Sequence, residues 1–178
     1  MKAIVFLATG FEEIEAVGII DILRRGNIDV DIVSVTGEYI VKGVHNMDIV
    51  ANTLFENGDF STCDALILPG GGPGSLLLKQ HAGVCQAVIN ACQNGKLIAA
   101  ICASPRVFGH LNLLNGKKAT CYPGIEPELL GATILPDPVV TDQNIITGRG
   151  PGLVFDFALA VLTYLNADAE QVADDLLL

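Results

Sequence analysis

"KLIAAICASPRVF", residues 96–108, holds the change of pattern that decides the fold. An apolar run from Lys96 to Cys102 reads as a strand buried on both faces of a sheet. Ser104-Pro105 follows at once, a good N-cap and a good first helical residue. The stretch is therefore strand, sharp turn, helix, with the thiol of Cys102 at the turn. Ala100 and Ser104, two positions to either side, are small, as an elbow that exposes a nucleophile requires.

The same alternation runs through the chain. "KAIVFLA" (2–8) is a continuous apolar run broken by Thr9-Gly10. "EEIEAVGIIDILRRG" follows, with Ile14, Val17, Ile20 and Leu23 near helical spacing and Gly26 as a stop. Acidic residues fill its first turn and Arg24-Arg25 its last, as the helix dipole favours. "DVDIVSVT" (29–36) is a second strand, and residues 39–51 suggest a small antiparallel excursion. "DALILPGGG" (64–72) is a buried strand running into a glycine loop. Helices are expected over about 82–94, from Pro105 and over 153–165, with a shorter one closing the chain. "VVTDQNIITG" (139–148) reads as a hairpin around Asp142-Gln143-Asn144. Strands alternating with helices predict βαβ units and a mainly parallel α/β sheet, helices on both faces, in one domain spanning 1–178. Ligands of such sheets bind at the carboxyl ends of the strands, which selects Thr9-Gly10, Gly70-Gly71-Gly72 and Cys102.

Composition narrows the function classes. Half the chain is hydrophobic, 17% is charged and the net charge is -10, without a basic stripe, so nucleic acid is not an expected partner. No apolar run approaches the length of a membrane span. No small-residue cleavage pattern follows the N-terminal apolar stretch, and a cytoplasmic location is expected. The five cysteines (Cys63, Cys85, Cys92, Cys102, Cys121) are odd in number and irregular in spacing, with no Cys-x-x-Cys, which argues against a disulfide framework or a zinc site. Cys85 and Cys92 share one face of a helix and read as small core residues.

Cys102 is the candidate nucleophile. A thiol just before a helix N-terminus meets a positive dipole end and free N–H groups, which favour thiolate and lower the pKa. The alternative is one more buried small residue. Glu15 admits two readings. It is either a buried acid beside the sulfur, able to donate a hydrogen bond and move a proton, or part of a solvated acidic first turn with Glu12 and Glu13. Gly70-Gly71-Gly72 is either a cradle of N–H groups for an oxyanion or a tight turn. Arg149-Gly150-Pro151-Gly152 reads as a structural connection. His45, His81 and His110 are the only histidines, and none abuts Cys102, so no local Cys-His pair is visible.

Taken together, "GFEEIEAV" (10–17), "DILRRGN" (21–27), "LILPGGGPG" (66–74), "LIAAICASP" (97–105) and "GRGPGLVFDFALA" (148–160) resemble the ThiJ/PfpI (DJ/PfpI) superfamily, in its Parkinson-disease-protein-7 and ThiJ-like branch. The resemblance implies a flavodoxin-like, class I glutamine amidotransferase-like α/β/α sandwich and a homodimer. It implies Cys102 as the reactive cysteine, Glu15 as its partner and the N–H groups of Gly71 and Ala103 near the sulfur. It puts Arg25 close to the dimer-related site. It implies a glyoxalase or deglycase acting without cofactor or metal on a small reactive aldehyde, such as methylglyoxal, or on a glycated adduct. It also implies a redox-responsive, stress-protective protein whose cysteine oxidises to the sulfinic acid. Two departures stand out. Tyr122 in "ATCYPG" replaces the histidine of many relatives, and a phenol is a poor base near neutral pH. Ala103 replaces the histidine that follows the cysteine in the protease and amidotransferase branches, against peptidase or glutaminase activity.

Overall fold

The first strand, β1 (Lys2–Leu7), shows how the sequence builds a two-sided core. Its alternate residues point to opposite faces. Ala3, Val5 and Leu7 enter one apolar layer, and Ile4, Phe6 and Ala8 enter the other. The structure, a computed structural model, describes residues 1–178.

The remaining elements follow in order. They are α1 (Glu13–Arg25), β2 (Asp29–Ser34), β3 (Ile40–Lys42), β4 (Asp48–Val50), β5 (Thr53–Leu54), β6 (Ala65–Leu68), α2 (Gly72–Gln80) and α3 (Ala82–Gln93). Then come β7 (Leu97–Ile101), α4 (Pro105–His110), β8 (Lys118–Ala119), β9 (Thr133–Ile134), β10 (Val139–Asp142), β11 (Ile145–Gly148), α5 (Val154–Tyr164) and α6 (Ala169–Asp175). Seven strands form one sheet in the order β10-β11-β7-β6-β1-β2-β5. Every neighbouring pair is parallel except the β10–β11 hairpin. Helices α1, α5 and α6 cover one face, and α2, α3 and α4 the other. This is the α/β sandwich expected of the sequence. The antiparallel excursion is also present, as the β3–β4 hairpin.

Three local features add to or depart from the sequence reading. Residues 72–80 form a helix, α2, although "GPGS" gives no helical signal; Pro73 is tolerated in its first turn, where no N–H is needed. On α1 the stripe is shifted. Ala16, Ile19, Ile20, Ile22 and Leu23 are buried, whereas Ile14 and Val17 are 58% and 53% exposed. Gly26 does follow α1, but the left-handed residue is Asn27 (φ 58°). A Cβ at Gly26 would press on the Leu162 side chain of α5, which would have to shift.

The chain order changes direction at β1. It moves outward to β2, then crosses back to β6 on the other side. A reversal of this kind puts the usual binding place of such sheets at the carboxyl ends of the flanking strands, here β1 and β6.

Candidate active site

The site is assembled over β6. Cys102 follows β7 and Glu15 belongs to the helix after β1, yet β7 and β1 do not touch; β6 lies between them. The two side chains meet because β6 runs out into Pro69 and Gly70, and Gly70 has no side chain to separate them. A Cβ there would collide with the Glu15 carboxyl, lie 2.5 Å from Cys102 Cβ and stand 3.1 Å from its sulfur. The sequence marks Gly70 only as part of the triple-glycine loop; its role in letting the two side chains meet comes from the structure.

Cys102 occupies the left-handed region (φ 62°), the strained turn expected of an elbow. Its N–H donates to Gly148 O at 2.9 Å and its carbonyl accepts from Tyr122 N at 2.8 Å. These two bonds hold the turn against β11 and the 120–125 segment. The Ser104 hydroxyl does not cap α4; it donates instead to Pro69 O and ties the elbow to the end of β6. Cys102 is 8% exposed.

Glu15 is fully buried. Its Oε2 accepts from Gly70 N at 2.7 Å, and its Oε1 has no hydrogen-bond partner. Burial pushes the carboxyl up to about 7, reinforced by the nearby Glu12 carboxylate and opposed by the N–H of Gly70 and by Cys102. Of the two readings of Glu15, the buried acid beside the sulfur is the one the structure shows. Glu12 and Glu13 are not solvated either. Glu12 caps α1 by accepting from Glu15 N at 2.7 Å. Glu13 accepts from His45 N at 2.5 Å and pairs with its ring Nδ1 at 2.9 Å, holding the β3–β4 hairpin over the first turn. Ligand-type atoms of Glu12, Glu13 and His45 lie within 4.8 Å of one another. Both carboxylates already serve the fold in these hydrogen bonds.

The expected depression of the thiol pKa is corrected. Burial pushes Cys102 up to about 12, and the Glu15 charge adds to it; hydrogen bonds from the N–H groups of Gly71 and Ala103 pull the other way. The local motif acts in the expected sense, but the walls around the sulfur outweigh it. Cys102 and Glu15 thus form a coupled pair, in which burial and mutual repulsion hold both groups above their ordinary values.

Of the other candidates, Gly71 (φ 94°) and Ala103 stand at the sulfur, whereas Tyr122 has a half-exposed ring lying on Gly150 and joins the elbow through its backbone. Arg25 is not brought to Cys102 within the chain. It lies in the last turn of α1, paired with Asp21 at 2.7 Å, about 15 Å of helix away from Glu15. His81 caps α3 by accepting from Val84 N.

An α/β sheet that presents a cysteine on a left-handed turn against a buried acid defines a protein of the nucleophile-elbow class. The DJ-1/PfpI family profile matches residues 1–164. The protein DJ-1 homolog B of Arabidopsis thaliana is 40% identical over 96% of this chain, which spans only 40% of that relative's length. The glutathione-independent glyoxalase DJR-1.2 of Caenorhabditis elegans is 31% identical over 87% of this chain and 83% of its own. The solved structure of oxidized Toxoplasma gondii DJ-1 superposes with a TM-score of 0.95 at 35% identity, covering 99% of this chain and 97% of its own. The chain belongs to the DJ-1/PfpI family.

Proposed function

We propose that this protein is a cofactor-independent glyoxalase or deglycase that acts on reactive aldehydes such as methylglyoxal through Cys102. The observation that carries this reading is the coupling of Glu15 to Cys102 over Gly70, with a carboxyl poised near neutrality. The sulfur attacks the aldehyde carbon while its proton passes to the Glu15 carboxylate. The carbonyl π-pair moves to oxygen, and the N–H groups of Gly71 and Ala103 hold the resulting oxyanion. Protonation gives a hemithioacetal. For methylglyoxal, a proton then leaves the former aldehyde carbon and another arrives at the neighbouring ketone carbon, leaving a thioester. Water hydrolyses it to lactate and frees the thiol. The aldehyde carbon is oxidised and the ketone reduced within one molecule, so no external oxidant or reductant is required. The relative named as a glutathione-independent glyoxalase supports this reading. The test is lactate formation from methylglyoxal by wild type and by Cys102→Ser; equal activity in both rules the proposal out.

A second reading shares the same pair. A protonated Glu15, with an Oε1 that has no other partner, is placed to donate a hydrogen bond to an oxidised sulfur. Mild peroxide is then expected to add two oxygens to Cys102 before the other four cysteines, measured by peptide mass spectrometry; uniform oxidation of all five contradicts it. We also propose a homodimer, supported by the apolar side chains that α1 and the adjoining β3–β4 hairpin leave exposed. A cytoplasmic location is supported by five cysteines that are all free. No helix is long and apolar enough to cross a membrane.

A further inference from the structure

Arg106 breaks two local rules at once. It is a cation in the first turn of α4, where the helix dipole disfavours positive charge. Its side chain is also only 8% exposed, with Nε buried and unpartnered. A charged group held at such a cost calls for a compensating role. Its remaining contacts supply one. Nη2 pairs with Glu128 Oε1 at 2.9 Å, and Nη1 donates to Ser75 Oγ at 3.3 Å. The Ser75 hydroxyl in turn donates to Gly72 O at 3.0 Å, within the glycine loop that approaches the sulfur. Glu128 also binds Lys79 of α2 at 2.9 Å through its other oxygen. At the far end of α4, Gly109 has no side chain to keep the backbone of Glu128 and Leu129 away.

We infer that Arg106 is the positioning residue that holds the glycine loop, the elbow helix α4 and the segment running from Tyr122 to Glu128 in register around Cys102. The inference rests on the reading of Cys102 as the reactive group. Arg106 touches no reacting atom; it acts through Ser75, whose hydroxyl holds the Gly72 carbonyl and whose N–H holds the Gly71 carbonyl at 2.9 Å, and so on the loop that carries the Gly71 N–H. A guanidinium suits this role because its planar fork serves two partners in fixed directions, which a lysine ammonium does not.

The test measures iodoacetamide alkylation of Cys102 across the pH range in which thiols titrate. It uses full-length wild type, Arg106→Met and Ser75→Ala, with the adduct located by peptide mass spectrometry and thermal unfolding followed in parallel. Both variants are expected to move the alkylation midpoint to higher pH and to slow the reaction about tenfold at neutral pH, because a misaimed N–H stabilises the thiolate less. Midpoints and rates equal to wild type in both overturn the inference, even where the melting temperature falls, since a purely structural ion pair predicts that pattern. Ser75→Ala removes a single oxygen and decides the matter alone where Arg106→Met does not fold. Absence of lactate formation leaves this test intact, because alkylation reads the thiol rather than turnover.

Discussion

Glu15 and Cys102 come from elements whose strands are not neighbours, and their side chains meet over the bare backbone of Gly70. The gap across one intervening strand is roughly 10 Å. A buried glutamate reaches across it only where the strand between has no side chain in the way. The smallest residue in the site therefore decides whether the pair exists.

Gly70→Ala is the direct consequence. The added methyl collides with the Glu15 carboxyl and with Cys102 Cβ, both walled in by core. Overpacking of this kind costs about 1–3 kcal/mol. Denaturant unfolding is expected to show a loss in that range. The alkylation profile of Cys102 is expected to lose its inflection near 7, because Glu15 is displaced from the sulfur.

Glu15 also ties stability to pH, with a sign that can be worked out. Its folded pKa, about 7, lies above its ordinary value of 4.5, so between those values the folded chain holds a proton that the unfolded chain has released. Stability from this group is complete below the lower value and is lost as pH rises through the window. A displacement of this size corresponds to roughly 3 kcal/mol. Wild type is expected to lose stability relative to Glu15→Gln as pH rises from about 4.5 to 7, read from paired urea titrations. Parallel pH dependences in the two proteins would show that the buried carboxyl is not linked to folding.

Much of this was legible in the sequence, and the misses have physical causes. Strands β1, β6 and β7 announce themselves because burial on both faces demands unbroken apolar runs. The elbow is readable because Ala100, Cys102, Ser104 and Pro105 combine small neighbours with a helix start. The burial of Glu13 was not readable. It depends on His45, 32 residues away, which reaches the first turn only after the β3–β4 hairpin folds onto α1. Ile14 and Val17 fit helical spacing, but spacing alone does not say which apolar side faces the chain's own core. The thiol shows the same limit. Nearby N–H groups lower its pKa as the local motif suggests, while burial by several elements distant in sequence raises it further.

The left-handed turn at Cys102 predicts an order among variants. A side chain at φ 62° carries a steric penalty that glycine escapes, of about 1 kcal/mol or more. Cys102→Gly and Cys102→Ala both remove the thiol, so their difference isolates the backbone term. Cys102→Gly is expected to be the more stable by about 1 kcal/mol, less the extra chain entropy of glycine. Chemical denaturation of the two proteins checks it, and an alanine variant more stable by about 1 kcal/mol, the full entropic cost of glycine, would mean that the turn is not strained.

The exposed apolar side chains give the last prediction. Ile14 and Val17 lie on the outer side of α1. The β3–β4 hairpin, fastened to the start of that helix by Val44 N to Phe11 O at 2.9 Å and by the Glu13–His45 contacts, adds Ile40, Val44, Met47 and Val50. Six apolar side chains, each at least 40% exposed on two joined elements, form a surface that a second copy would cover. Val17→Glu places a charge on that surface without touching the core of its own chain. Light scattering coupled to gel filtration is expected to give a dimer for wild type and a monomer, or a dimer weakened about a hundredfold, for the variant. Because Val17 lies two residues from Glu15 along α1, the variant also tests whether pairing supports the site. Slower Cys102 alkylation in a folded monomer would show that it does. A wild-type chain that runs as a monomer at high concentration would remove both the pairing and its link to the site.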